Sequence, residues 1–281
     1  MYTISDEERA AGRLDADKLA SIVNDISAQG YAVVADLVSE ETRRLLMTSV
    51  LEDAQAIQAK AELTAHEKHT GIGHLQLGLR RRSPYVCADL LANPLIEHTV
   101  SAVLGKNAWL GFYNGNVNMP GSTSQPIHFD RPFTWKSKGE AEAAGQSWPP
   151  PTTTLSCSVA LEDITSRNAA TEIYPGSHQE TAVTRWQSGE RPDKHPELLK
   201  KWGPPARMEI PAGGVCFRDP RMWHRGMPNT SGQIRPMIAM TFHWAQANHW
   251  RGTSVQELAA EQVSQLAADS SLRIMDDGTV G

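Results

Sequence analysis

His128 and Asp130 stand two residues apart in the segment IHFD, and an imidazole beside a carboxylate is a pair that takes divalent metals. If the segment is a strand, residues i and i+2 share a face, so the two side chains converge on one point. The pair alone carries little weight, because a strand can equally show two polar residues to solvent. A further histidine changes the weighing. His224, in RMWHRGMPN, lies at the end of a later stretch of short apolar runs, where a second imidazole could reach the same ion.

Two histidines and one carboxylate on one face of an octahedral ion make the facial triad of non-haem Fe(II) oxygenases, which leaves the opposite face open for chemistry. Zinc fits less well, since its structural sites prefer closed tetrahedral shells of nitrogen and sulfur. Arg235, which opens the apolar run RPMIAMTF, belongs to the same picture. A guanidinium on such a strand needs a carboxylate, and its fork suits a bidentate one. The distal carboxylate of 2-oxoglutarate would serve; an internal Asp or Glu is the alternative reading.

These residues need a scaffold, and the texture of the chain says which. Up to about residue 105 the pattern is mostly helical. Leu19, Ile22, Val23 and Ile26 form an amphipathic stripe that ends at Gly30. The strand YAVVADLV follows, and Ser39 with Glu40 and Glu41 starts another helix, whose apolar face runs through Leu45, Leu46, Val50, Leu51 and Ile57. From about 106 to 245 short runs (WLGFYNGNV, TLSCSVALEDI, ARMEI, GGVCFRD, RPMIAMTFHW) alternate with Gly, Pro, Asn and Ser, the pattern of an all-β sandwich or barrel. Ser254 and Glu257 form a capping-box pattern, so a helix is expected over about 254–268. With no repeat and no linker, residues 1–281 read as a single domain. The stretches 136–151 and 185–205 read as inserted loops.

Here the sequence resembles the phytanoyl-CoA dioxygenase family of Fe(II)/2-oxoglutarate oxygenases. The resemblance covers roughly Gly30 to Trp244. It is densest in QPIHFD, in RNAATEIYPGSHQ and in PAGGVCFRDPRMWHRGMPNTSGQIR, which stand in the family's order with metal ligands and arginine in register. Asn168-Ala169 departs from the family's usual NG, and Gly213-Gly214 from its usual GD. The resemblance implies a mainly β fold with flanking helices around a double-stranded β-helix (jelly-roll, cupin-like) core. It implies metal ligation by His128, Asp130 and His224, and 2-oxoglutarate binding by Arg235, with Gln125 and Thr171 touching the cosubstrate. The implied activity is a 2-oxoglutarate-dependent dioxygenase that hydroxylates a C–H bond of a small molecule and releases succinate and CO2. Fe(II), 2-oxoglutarate and O2 take part, and ascorbate acts as a helpful reductant. A carboxylate in the third ligand position leaves no vacancy for chloride, which disfavours a halogenase.

Other residues draw plainer readings. His178 belongs to the PGSH turn and stabilises it, while His243 and His249 are ordinary interior or surface histidines. Arg80, Arg81 and Arg82 form a solvated loop or meet an anionic substrate tail. Phe133, Trp135 and Trp148 either pack the core or wall the substrate, and Phe133 and Trp135 are the candidates for substrate contact.

Bulk properties narrow the partners. With 27 Lys and Arg against 32 Asp and Glu the net charge is −5, which argues against a nucleic-acid binder. Three cysteines without CxxC spacing match a reducing compartment. The acidic N-terminus has no apolar signal region and no run is long enough for a membrane span, so the expectation is a cytoplasmic monomer or homodimer. The moderate aromatic content and long loops lean towards a partly apolar small molecule of specialised metabolism. Two rivals remain: a cupin-like isomerase or hydrolase that does not use 2-oxoglutarate, and a catalytically silent binding protein.

Overall fold

The computed structural model describes residues 1–60, 62–79, 82–184, 191–246 and 273–274. Its helices are α1 (Asp6–Ala11), α2 (Ala16–Gln29), α3 (Glu40–Gln58), α4 (Ala65–Thr70), α5 (Ala88–Leu91), α6 (Pro94–Leu104), α7 (Lys138–Ala143) and α8 (Pro196–Trp202). Its strands are β1 (Tyr31–Val34), β2 (His74–Gln76), β3 (Trp109–Asn118), β4 (Thr154–Ala160), β5 (Thr171–Ile173), β6 (Ala206–Met208), β7 (Val215–Arg218), β8 (His224–Arg225), β9 (Arg235–His243) and β10 (Arg273–Ile274). The helix expected over 254–268 and the residues Arg80, Arg81 and His249 lie outside the described residues.

The N-terminal helices form where the sequence marks them. The Asp15 carboxylate caps α2 by accepting from the backbone of Asp17 and Lys18, and Gly30 closes the helix at φ 87°, a left-handed conformation that favours glycine. Ile22 and Ile26 are fully buried, each worth about 1.5–3 kcal/mol of apolar burial. Ser39 caps α3, whose buried face is Leu46, Val50 and Ala54 with Ile57 behind it. Leu45 is an exception to the expected stripe. It is 56% exposed, because one residue along a helix is a turn of about 100° away from Leu46. The strand YAVVADLV is also shorter than expected: it ends at Val34, and Asp36 takes φ 59°.

Most strands join one sheet in the order β1-β7-β4-β9-β3-β10, with β2 also on β3; β6-β5-β8 form a second, smaller sheet. All pairings are antiparallel except β10 with β3. The period of two explains how the large sheet serves two purposes. Leu155, Cys157 and Val159 of β4 and Ile238, Met240 and Phe242 of β9 join the core beneath α2, α3 and α6. Their neighbours Ser156, Ser158, Ala239 and Thr241 line a cavity on the inner face. At one end the two sheets close over Val33, Ala160, Ile173, Met208, Cys216 and Met237. This is the mainly antiparallel double-stranded β-helix with flanking helices.

Three expectations about local structure change. The IHFD segment is not a strand. It is extended chain joined to His224 by one antiparallel bridge, in which each histidine N–H donates to the other's carbonyl (2.9 and 2.8 Å). The stretch 136–151 carries α7, capped by Ser137, rather than only loop. Within 185–205, residues 196–202 form α8, whose Leu198, Leu199 and Trp202 pack on Ile127, Phe129, Tyr174, Val183 and Trp223.

Candidate metal centre

The bridge between residues 128 and 224 places the two imidazoles side by side, with ring centroids 4.3 Å apart. Asp130 turns back towards them because its N–H donates to Pro220 O at 2.8 Å. Its Oδ1 lies 3.7 Å from His128 Nε2 and 3.4 Å from His224 Nε2. Donors about 2.1 Å from one ion and at right angles stand roughly 3 Å apart, so an ion needs only a small contraction of this cluster. Among the described residues these three form the one His/Cys/Asp/Glu group able to hold a metal ion.

Both histidines are oriented by the same device. His128 Nδ1 meets Pro126 O at 2.8 Å, and His224 Nδ1 meets Met222 O at 2.9 Å. A carbonyl only accepts, so the proton sits on Nδ1 and each Nε2 keeps its lone pair for a metal. Burial, reinforced by the adjacent His224 ring, pushes His128 down to about 4, which keeps it neutral at physiological pH. The Asp130 side chain is 41% exposed and faces the cavity; desolvation there opposes its ionisation, but His224 and Arg218 outweigh it and hold the carboxyl well below the ordinary carboxylate range. The donor set is therefore two imidazoles and one anion, as an Fe(II) facial triad requires.

The cluster opens into a cavity of about 420 Å³, and Arg235 lines the same cavity. Arg235 is 5% exposed. Its Nε donates to Asn168 O (3.3 Å) and its Nη2 to Ala169 O (3.2 Å), while Nη1 lies 3.8 Å from Met237 Sδ. Burial pushes the guanidinium down to about 10, still cationic at neutral pH. Among the described residues no carboxylate lies within ion-pair distance of it and no internal salt bridge is made, although the half-buried Glu162 lies near enough to favour its charge.

Gln125 and Thr171 also line the cavity. The Gln125 Oε1 accepts from Gly226 N at 2.8 Å, and a Cβ on Gly226 would stand 2.6 Å from His74 Cε1 and 2.8 Å from that Oε1. A larger residue at 226 would therefore push the His74 ring and the Gln125 amide aside, where three segments meet. Thr171 opens β5, opposite Met208.

Phe133 and Trp135 are not among the cavity-lining residues. Phe133 is buried against Trp148 (5.4 Å between centroids) with the Arg221 guanidinium 4.9 Å from its ring, and Trp135 packs edge-on against Trp244. Aromatic packing and a cation–π contact take both rings away from the substrate wall expected of them. His178 Nε2 meets Ser27 O at 3.0 Å, so it ties the PGSH turn to α2. His243 is interior, stacked on Trp109 at 4.6 Å.

Arg218 escaped the sequence reading. It ends β7 and is buried, with Nη2 2.6 Å from Asp130 Oδ2. The signal was available, because VCFR is an apolar strand with a guanidinium, the same pattern that singled out Arg235.

Comparison with known proteins bears on the family and the fold. The family model for phytanoyl-CoA dioxygenase matches residues 26–237. The chain is 28% identical over 165 residues to dioxygenase andF of Emericella variicolor, a match that covers 57% of this chain and 50% of the relative. It is 24% identical over 220 residues to dioxygenase trt7 of Aspergillus terreus, covering 77% and 70% respectively. The chain thus spans about half the length of the first relative. Among solved structures it resembles the non-heme alpha-ketoglutarate-dependent carbocyclase SnoK from nogalamycin biosynthesis (TM-score 0.64, 18% identity, 86% of this chain and 89% of that one). It also resembles the epimerase SnoN from the same biosynthesis (TM-score 0.57, 16% identity, 82% of each chain). At that identity the structures speak for the fold. The match of the family model over most of the chain settles the kinship: this protein belongs to the phytanoyl-CoA dioxygenase family.

Proposed function

We propose that the protein is an Fe(II)- and 2-oxoglutarate-dependent dioxygenase, with His128, Asp130 and His224 holding the iron and Arg235 holding the C5 carboxylate of 2-oxoglutarate. One observation carries this reading. A two-histidine, one-carboxylate cluster shares a cavity with a buried guanidinium for which the described residues offer no carboxylate within ion-pair distance. A buried charge without a counter-ion is costly, and a dianionic cosubstrate would supply one.

Bound iron would supply the activation of O2 that ends with one oxygen atom in succinate and the other available to a substrate C–H, with CO2 released. The chain's own groups set the geometry. The carbonyls of residues 126 and 222 hold the imidazoles in the ligating tautomer, and the Arg235 fork fixes the far end of the cosubstrate. Gln125, whose Oε1 is engaged by Gly226, keeps its amide N–H groups for the cosubstrate, and Thr171 offers a hydroxyl beside it. With Phe133 and Trp135 packed elsewhere, the substrate meets Gln76, Phe112, Asn116, Ser156 and Thr241. That wall suits a small molecule that carries hydrogen-bonding groups as well as hydrocarbon. Hydroxylation is the proposed outcome; a carbocyclase and an epimerase share the fold, so product mass distinguishes gain of oxygen from loss of a hydrogen pair or no change.

Purified protein given Fe(II), 2-oxoglutarate, ascorbate and air should form succinate slowly even without substrate, and form none without iron. His128→Ala, Asp130→Ala and His224→Ala should each abolish this while circular dichroism stays unchanged. Full activity in any of the three, or no succinate from the wild type with any small-molecule substrate tried, would refute the proposal.

A further inference from the structure

Asp130 has two oxygens, and the structure gives them different neighbours. Oδ1 faces both imidazoles, at 3.7 and 3.4 Å. Oδ2 accepts a charge-assisted hydrogen bond from Arg218 Nη2 at 2.6 Å. We propose that Arg218 is a positioning residue that clamps Asp130 to single-oxygen ligation and thereby keeps the third open position of the metal free. The inference rests on the metal-site reading above.

Three features argue for a built clamp. Arg218 is 6% exposed and belongs to a strand paired on both edges, opposite Tyr31 of β1 and Ser156 of β4, so its Cα has little freedom. Its Nε is buried without a hydrogen-bond partner, which means that the guanidinium has been oriented for Asp130 at the expense of its own full satisfaction. Its Nη1 lies 3.3 Å from His224 Nδ1, so the same cation touches two of the three ligands. It cannot donate there while Nδ1–H goes to Met222 O at 2.9 Å, and the shorter carbonyl contact selects the tautomer that leaves Nε2 for the metal.

The coordination count gives the clamp its consequence. Two imidazoles and one carboxylate oxygen occupy three of six octahedral positions, and the remaining three accommodate a bidentate keto acid and O2. A carboxylate bound through both oxygens would take one of those positions. A guanidinium on the second oxygen prevents this and fixes the first oxygen in direction.

The test is anaerobic Co(II) binding, by chelator competition, followed by titration of 2-oxoglutarate into the Co(II)-loaded protein. Arg218→Met should weaken Co(II) binding about 10–100-fold, the usual loss when the partner of a metal ligand is removed. It should also weaken 2-oxoglutarate binding to the loaded protein and change the Co(II) d–d spectrum. Arg218→Lys, which keeps charge but loses the fork, should fall between wild type and Met, and it carries the test if the Met variant fails to fold. In an Asp130→Ala background the Arg218 substitution should have no further effect on Co(II) affinity, since the arginine acts through that carboxylate. Wild-type affinity and spectrum in the Arg218 variants, or an equal loss in the Asp130→Ala background, would overturn the clamp alone. A wild-type protein that binds no Co(II) would overturn the metal site and the clamp together.

Discussion

Arg221 and Arg235 are buried to a similar degree, 8% and 5% exposed, and the chain treats them in opposite ways. Arg221 has a carboxylate built in two residues earlier. Its Nη2 lies 2.6 Å from Asp219 Oδ2 and its Nε 3.0 Å from Oδ1, and Nη1 donates to Pro150 O at 2.9 Å. Thr152 Oγ1 donates to the same Asp219 Oδ2 at 2.7 Å, so the ion pair is closed on all sides. Arg235 is given two loop carbonyls and a thioether, and it lines the cavity. A carbonyl relieves part of a guanidinium's desolvation and none of its charge. The first arrangement is closed within the fold, while the second leaves a cavity-lining cation open to the carboxylate that the proposed function assigns to it.

The sharpest way to break this contrast is to remove each cation. Arg235→Gln should raise the dissociation constant of 2-oxoglutarate by roughly a hundredfold to several thousandfold, the 3–5 kcal/mol lost when one partner of a buried pair is removed. Thermal stability should change little, since among the described residues no carboxylate is hydrogen-bonded to Arg235 and Glu162 acts on it only at longer range. Arg235→Lys should recover only part of the affinity, having a point charge without the fork. Anaerobic calorimetry on the metal-loaded variant decides it, and an unchanged constant would make Arg235 structural.

Arg221→Gln should do the reverse, destabilising the fold by about 3–5 kcal/mol while leaving 2-oxoglutarate affinity alone in the folded fraction. Its pH dependence has a definite sign. Burial raises the Asp219 carboxyl, but Arg221 overrides this and holds it below its ordinary 3.8. In the wild type that stabilisation is present above pH 3.8 and is lost as pH falls through the lowered folded value. Without the guanidinium, Asp219 keeps only the Thr152 hydroxyl, the N–H of residue 221 and His178 against its burial, so the deficit of the variant should be full at neutral pH and shrink as the solution is acidified. Urea unfolding of both proteins from pH 7 to pH 4 measures it; a deficit independent of pH would mean that lost packing on Phe133 outweighs the ion pair.

A milder probe is Thr152→Val, which removes one donor to Asp219 and leaves the pair. The expected cost is about 1.5–3 kcal/mol, the range for a hydrogen bond to a charged group. A change below about 0.5 kcal/mol would show that Arg221 alone satisfies Asp219.

The contrast also shows what the sequence could and could not say. The amphipathic stripe ending at Gly30, the Ser39 cap and the run RPMIAMTF were legible because local spacing decides them. His128, Asp130, His224 and Arg235 were legible through residue type and a family pattern, although the HxD pair sits on a bridged extended segment and not on a strand. Arg218 was passed over despite the signal in VCFR, because its partner Asp130 is far away in sequence and reaches it through the contact of residue 130 with Pro220. For Phe133 and Trp135 the choice between core and substrate wall stayed open for a related reason. An aromatic ring near a ligand in sequence can turn to either side, and here Trp148, Arg221 and Trp244 claim them. Side-chain destinations set by distant elements are a property of the fold, not of local pattern.

The smallest expected effect concerns the loop that supplies the two carbonyls to Arg235. Ala169 stands at φ 72°, ψ 44°, a left-handed position where the family pattern has glycine. Placing an L-residue there costs roughly 1–2 kcal/mol. Its methyl is fully buried, which returns about 0.8 kcal/mol. Alanine also restricts the unfolded chain relative to glycine, worth about 0.4–1 kcal/mol. These contributions nearly cancel, which explains why the departure from glycine is tolerated. Ala169→Gly should therefore shift stability by less than about 1 kcal/mol and leave 2-oxoglutarate affinity within twofold. Ala169→Val should do neither, because a β-branched side chain fits that backbone poorly and two more methyls would be added to a fully buried site. The turn would shift, moving the Asn168 and Ala169 carbonyls off the guanidinium, and both the urea midpoint and the cosubstrate affinity should fall. If the valine variant loses stability yet binds 2-oxoglutarate normally, the two carbonyls do not orient Arg235, and the neighbouring strand alone sets the direction of its fork.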